Sequence, residues 1–136
     1  MSQTIDCDAD PILPEGWKFM QEKAGRLEFD PSKTKLHLEP CQERGKIVGG
    51  RLYGYLKGKP VMNVKVLEWL LAHPSAIPEQ WRFHPDIYFW GTILHSPEDG
   101  RTYVCYMHWN YSRWCPRIHP LDRFFNHNCP ALLRVG

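Results

Sequence analysis

Hydrophobic and polar positions alternate in several stretches of the chain and switch to a helical spacing in one. Leu27 and Phe29 alternate with polar neighbours, and Leu36 and Leu38 repeat the pattern. Between them, Asp30-Pro31-Ser32-Lys33 puts Asp and Pro where a type I turn favours them. Period two on both sides of a turn predicts a hairpin over 26–38. Residues 39–50 are polar, with Pro40, Gly45, Gly49 and Gly50, and read as loop. Residues 51–57 read as a short strand or a tight helical turn. From residue 63 the spacing changes. Lys65, Glu68 and Ala72 fall on one narrow stripe, while Val64, Val66, Leu67, Trp69, Leu70 and Leu71 cover the rest. This predicts a largely buried helix over 63–73, capped by Asn63 and stopped by Pro74. A further short helical turn over 75–82 has Pro78 at its first position.

Residues 87–95 are apolar on both alternating faces, which predicts a central strand buried on two sides. Ser96–Gly100 forms a hairpin loop, and residues 101–109 return as the next strand. Tyr103, Cys105, Met107 and Trp109 share one face of it; Thr102, Val104, Tyr106 and His108 share the other. Asn110, Tyr111 and Ser112 turn the chain, and residues 113–118 make a third strand that Pro116 marks as an edge or a bulge. The tail, 121–135, packs through Leu121, Phe124, Phe125, Leu132 and Leu133. The resulting fold is α+β: a small antiparallel β-meander packed on one main helix, with an N-terminal hairpin. Residues 1–14, acidic and without periodicity, read as a flexible segment ahead of a single domain over 15–136.

Composition narrows the class. The chain has 136 residues, 43% hydrophobic and 24% charged, which fits a soluble globular domain. No apolar run approaches ~18 residues, so no membrane-spanning helix is expected. The first residues hold no apolar stretch of the kind a signal peptide needs. Five cysteines cannot all pair internally, and a reduced, cytoplasmic protein is the simplest reading. The net charge is +2, yet it is segregated. Asp6, Asp8, Asp10 and Glu15 stand alone in the first fifteen residues. Residues 33–65 carry Lys33, Lys35, Arg44, Lys46, Arg51, Lys57, Lys59 and Lys65 against Glu39 and Glu43. Residues 101–136 carry five Arg against Asp122. Two basic blocks suit an anionic partner.

Three stretches, GWKFMQEKAGRLEFDPSKTKLHL, LKGKPVMNVKVLEWLLAHPSAIPEQWR and IYFWGTILHSPEDGRTYVCYMHWNYSRW, carry a resemblance. In combination they resemble a group of short uncharacterised bacterial proteins. These share a GW start, a DPSK turn, a KGKPVLN-type helix entry, a PEEW segment, an FWGT strand, a DG turn, a YLYW-like strand and a following RW. The match covers about residues 15–118. The resemblance implies no activity, cofactor or catalytic residue. Cys105, His108, Cys115, His119, His127 and Cys129 depart from its pattern.

Several side-chain combinations could carry chemistry. Cys115, His119, His127 and Cys129 supply thiolate and imidazole that suit zinc, but no C-x-x-C is present, and Cys105 and His108 point to opposite strand faces. A Cys–His pair, with His119 near Asp122, would make a nucleophile. The stretch GKIVGGRLYGYLKGK offers glycine amides and lysines to an anion, yet it lacks the spacing of a phosphate-binding loop. Tyr88, Trp90, Tyr103, Tyr106, Trp109, Tyr111 and Trp114, interleaved with Arg101, Arg113 and Arg117, could stack bases of a nucleic acid. The reading preferred over these is non-catalytic protein binding by an aromatic and Arg-bearing strand face. Trp109, Tyr111, Arg113, Trp114 and Arg117 would carry it, the rings as anchors and the Arg as charge partners, with no cofactor and no membrane contact. The alternatives are a nucleic-acid-binding domain with salt-dependent stacking, and a Cys/His zinc site or Cys-dependent enzyme.

Overall fold

The computed structural model describes residues 3–135, and its architecture is α+β with an antiparallel-dominated sheet. The strands are β1 (Gln3–Asp6), β2 (Lys18–Gln21), β3 (Arg26–Phe29), β4 (Thr34–His37), β5 (Ile47–Val48), β6 (Asp86–His95), β7 (Thr102–Trp109), β8 (Trp114–Pro120), β9 (Phe124–Phe125) and β10 (Ala131–Arg134). Three α-helices join them: α1 (Pro40–Arg44), α2 (Gly49–Leu56) and α3 (Val64–Ala72).

The main sheet runs β4-β10-β6-β7-β8, and β2 adds to the far half of β6. All neighbours are antiparallel except β10 and β6. As the alternation predicts, β6 is central and buried on both faces. Ile87, Phe89, Cys105 and Met107 face α3 and the β1–β3 ribbon, in a core with Phe29, Leu67 and Leu70. Tyr88, Trp90 and Val104 face α2 and the β5–β9 ribbon, in a core with Leu52, Leu56 and Phe125. The apolar second face of β6 is thus covered by the chain's own segments.

Helix α3 forms as the spacing predicts. Asn63 caps it by accepting from the Lys65 N–H (3.0 Å), and the cap residue at its other end, His73, stands directly before Pro74. Residues 74–83 make two short 3-10 turns, the second starting after Pro78.

Four expectations are corrected. The strands of the 26–38 segment both form, but they do not pair with each other: β3 pairs with β1 and β4 with β10. The turn between them is a 3-10 turn in which the Asp30 carboxylate accepts from the Ser32 N–H (3.0 Å), and it sends the strands to different sheets. Within the segment 1–14, residues 3–6 form a strand and Ile5 and Cys7 are buried; Met1 and Ser2 lie outside the described residues. Residues 39–50 hold α1, β5 and the start of α2 rather than a continuous loop. Buried Gln42 fastens α1, its side-chain amide donating to the carbonyls of Cys129 (2.9 Å) and Asn126 (3.2 Å). In the tail, Leu121, Phe125, Leu132 and Leu133 are buried as expected, but Phe124 is exposed.

One irregularity governs the sheet. Phe89 lies opposite Cys105 and Ile93 opposite Val104, so Trp90, Gly91 and Thr92 bulge from the ladder. The bulge meets the entry to α3, where Gly91 N–H donates to the Met62 carbonyl (2.9 Å) and Val64 N–H donates to Thr92 Oγ1 (3.0 Å). The backbones approach so closely that a Cβ on Gly91 would lie 2.8–2.9 Å from the Cβ, Cα and N of Asn63.

This contact predicts opposite outcomes at two glycines. Gly91→Ala forces apart two backbone segments and should destabilise the fold by about 3 kcal/mol or more. Gly54→Ala, within α2 where a Cβ meets nothing, should stabilise it by about 0.5–1 kcal/mol. Urea unfolding of both variants measures the two signs.

Candidate functional site

The helix α3 and the edge strand β8 face each other across two hollows that share Leu71 as a wall. The larger, about 530 Å³, is bordered by Leu13, Trp17, Leu67, Leu94, Pro116 and Ile118, among others. The smaller, about 340 Å³, is bordered by Pro74, Ile77, Arg82, Trp109, Arg113 and Trp114 with Ser112. The register explains this lining. Trp109 lies opposite Trp114, Met107 opposite Pro116 and Cys105 opposite Ile118, so alternation sends Trp114, Pro116 and Ile118 to the α3 face.

The β7–β8 turn is rigidly built. The Asn110 side-chain oxygen accepts from Ser112 N–H (3.2 Å), Ser112 Oγ (3.0 Å) and Arg113 N–H (2.9 Å). Tyr111 takes φ of 74° at its tip and is 94% exposed. Below it the rings of Trp109 and Trp114 pack at 5.5 Å between centroids, and the Arg82 guanidinium lies 4.1 Å from the Trp109 centroid. At the other end, residues 10–14 cross α3: Ile12 N–H donates to Glu68 Oε2 (2.8 Å), and Lys65 Nζ donates to Asp10 O (3.3 Å) and pairs with Glu68 at 2.5 Å. Glu68 is thereby neutralised within the chain.

Of the five residues expected to act together, Trp109, Arg113 and Trp114 converge on the smaller hollow. Tyr111 stands apart at the turn. Arg117 borders the larger hollow, but it is opposite Tyr106 in register and its charge acts on that phenol. Leu71, Arg82 and Ile118 are part of the arrangement and were not singled out by sequence. The helical pattern marks Leu71 only as one apolar position among six, and no local pattern brings Arg82 to Trp109.

The other candidate sites read differently in three dimensions. Tyr88, Trp90 and Tyr103 are buried and offer no stacking surface. Cys115, His119, His127 and Cys129 do not converge, and no group of three His, Cys, Asp or Glu side chains able to hold a metal occurs among the described residues. His119 is engaged otherwise: its Nδ1 and the Tyr88 hydroxyl are hydrogen-bonded (2.7 Å), and its ring stacks on Phe125 at 3.9 Å. Asp122, near it in sequence, binds Arg101 through two hydrogen bonds of 3.0 and 2.6 Å. Burial pushes the Cys7 thiol up to about 11 and that of Cys105 up to about 12, and it raises Cys129 too, the opposite of an activated nucleophile. The glycine-rich stretch is β5 and α2. Its first helical amides are spent on backbone, Gly49 N–H on Arg123 O (2.9 Å) and Gly50 N–H on Leu121 O (3.0 Å), so they do not cradle an anion.

No family model, curated protein or solved structure matches the chain. No helix among the described residues is long and apolar enough to cross a membrane.

The environment of His119 generates a pH prediction. Burial lowers its pKa below the ordinary 6.5, outweighing Asp86, which raises it. The native state therefore holds fewer protons there than the unfolded chain, and stability is lost as pH falls through and below about 6.5. His119→Phe removes the hydrogen-bond partner of the buried Tyr88 hydroxyl and lowers stability at neutral pH by about 1–3 kcal/mol. The gap between parent and variant should then narrow as pH is lowered, as read from urea midpoints across the acid range.

Proposed function

We propose that the protein is a non-catalytic binding module whose α3–β8 trough receives an extended segment of a partner protein, apolar in its anchors and acidic at its flank. The observation that carries this reading is the trough itself. Two adjoining hollows with a common wall at Leu71 are lined by aliphatic and indole side chains and bordered by Arg82, Arg113 and Arg117. Exposed Ile12 and Ile118 continue the apolar surface at one end. Desolvated aromatic and Arg side chains are the anchors that dominate protein interfaces. The one carboxylate bordering the trough among the described residues, Glu68, is already paired with Lys65, so the charge the trough presents is positive.

Selection of peptides from a random library on the full chain tests it. The expected winners combine aromatic or aliphatic residues with Asp or Glu, and shift the resonances of Leu71, Trp109 and Trp114. Trp114→Ala and Arg113→Glu should each weaken them by roughly tenfold or more. Peptides that bind both variants as tightly as the parent, or that shift a different face, would refute the proposal.

A further inference from the structure

A second surface lies on the other side of the sheet, where α1, β5, α2 and β9 meet. A cleft of about 240 Å³ is bordered there by Cys41, Lys46, Val48, Arg51, Tyr55 and Phe124, with Ile47 beneath. Tyr55 is 51% exposed and Phe124 57%, two large rings left uncovered beside one cleft. Their placement follows from the local folds. Arg51 and Tyr55 stand one turn apart on the same face of α2. Phe124 is opposite Val48 in the β5–β9 ribbon, while its neighbour Phe125 turns inward to the core. Lys46 Nζ lies 4.4 Å from the Phe124 centroid, and Lys57 Nζ 5.5 Å from that of Tyr53. Arg44, Lys46, Arg51 and Lys57 are exposed, and none pairs with a carboxylate among the described residues.

We infer that this cleft is a binding site for single-stranded nucleic acid, with Tyr55 and Phe124 as stacking surfaces and Lys46, Arg51, Arg44 and Lys57 as phosphate contacts. The chemistry selects this partner over other anions. Rings set beside cations suit a chain that carries both bases and phosphates, and every base presents a flat face to a ring. A small inorganic anion would use the charges and leave the rings without a role. A lipid surface would be met by protruding aliphatic residues, and here Ile47 is buried and Val48 half-buried under the rings. The site is separate from the α3–β8 trough and does not rest on the role proposed for it.

Fluorescence anisotropy with the full chain and a labelled oligothymidine of about twelve nucleotides tests the inference. Anisotropy should rise on titration, and binding should weaken roughly 20- to 50-fold between about 50 and 200 mM KCl as three or four phosphate contacts are screened. Tyr55→Ala replaces an exposed helical residue by the best helix former, so the fold is kept; it should weaken binding about 5- to 100-fold at the lower salt. Arg51→Glu should weaken it as well, and Trp114→Ala on the opposite face should not. Absence of binding by the folded parent would overturn the site. So would salt-dependent binding that Tyr55→Ala leaves intact, which marks a bare anion patch. Sedimentation with phosphatidylserine vesicles that Tyr55→Ala abolishes, without oligothymidine binding, would assign the face to a lipid surface instead.

Discussion

The fold turns on one buried polar contact, the seat of Asn63 against the bulge of the central strand. Thr92 Oγ1 donates to Gln21 Oε1 (2.9 Å) while accepting from Val64 N–H. Gln21 Nε2 reaches the carbonyls of Cys7 (3.2 Å) and Ala9 (2.9 Å), and Asn63 Nδ2 reaches those of Cys7 (2.8 Å) and Glu22 (3.3 Å). Four segments distant in sequence are joined here: the stretch after β1, the end of β2, the start of α3 and the middle of β6. Together these side chains bond the carbonyls of Cys7, Ala9 and Glu22 and the N–H of Val64, which lie at the ends of the elements packed around the bulge. A buried network of this kind fixes one arrangement when complete and is costly when any member is lost. Gly91 is the sterically necessary part, because only a residue without Cβ lets Asn63 come near enough to bond.

Two of the quoted motifs meet in that contact, and others mark backbone turns elsewhere. Asn63 ends KGKPVMN, and Gly91 and Thr92 end FWGT. Gly16 of the GW start has φ of +85°, and Gly100 of the DG turn has φ of +69°. Asp30 of DPSK caps a 3-10 turn. These positions carry turns, caps and close approaches, so the motifs serve the backbone path of this chain. The trough draws on Trp17, Trp109, Arg113 and Trp114 of these same motifs together with Arg82 and Ile118, whereas the cleft draws on Arg51, Tyr55 and Phe124, which lie outside them.

The same division decides what was legible in the sequence. Periodicity locates β6, β7 and α3, since each buries apolar positions against a neighbour close in the chain; β8, an edge strand with no fully buried residue, follows from the turn at 110–112. It fails where pairing is long-range: β3 and β4 look like a hairpin, yet their partners are β1 and β10 from the two ends of the chain. It leaves α2 open between a strand and a helical turn, because Gly49, Gly50 and Gly54 argue against a helix. Packing overrides that preference. Leu52 and Leu56, one turn apart, are buried against the sheet, and Gly49 is required because a Cβ would meet Phe125 and the Leu121 backbone. Aromatic residues were the least legible. Tyr88 and Tyr106 read as surface rings able to stack on a base, yet they stack on each other at 4.5 Å, and Tyr88 meets Phe125 edge-on. Most of the rings thus pack in the two cores and not at a binding surface.

The edges of the sheet limit how a partner can be held. A free strand edge invites pairing with another chain, and both ends of this sheet are blunted against it. The outer strand β8 carries Pro116, which has no N–H to offer, and the opposite outer strand β4 is short and holds exposed Lys35. β2, which adds to half of β6, is likewise only four residues long and presents Lys18. Recognition by strand addition is therefore disfavoured at each edge. What remains for binding is side-chain surface: on one face the trough between α3 and the pleat of β8, on the other the cleft where α2 and the β5–β9 ribbon cover the second core. The bulge at Gly91 underlies both. It shifts the ladder so that Phe89 and Leu94 face α3 while Trp90 and Ile93 face α2, giving each layer its own apolar seat.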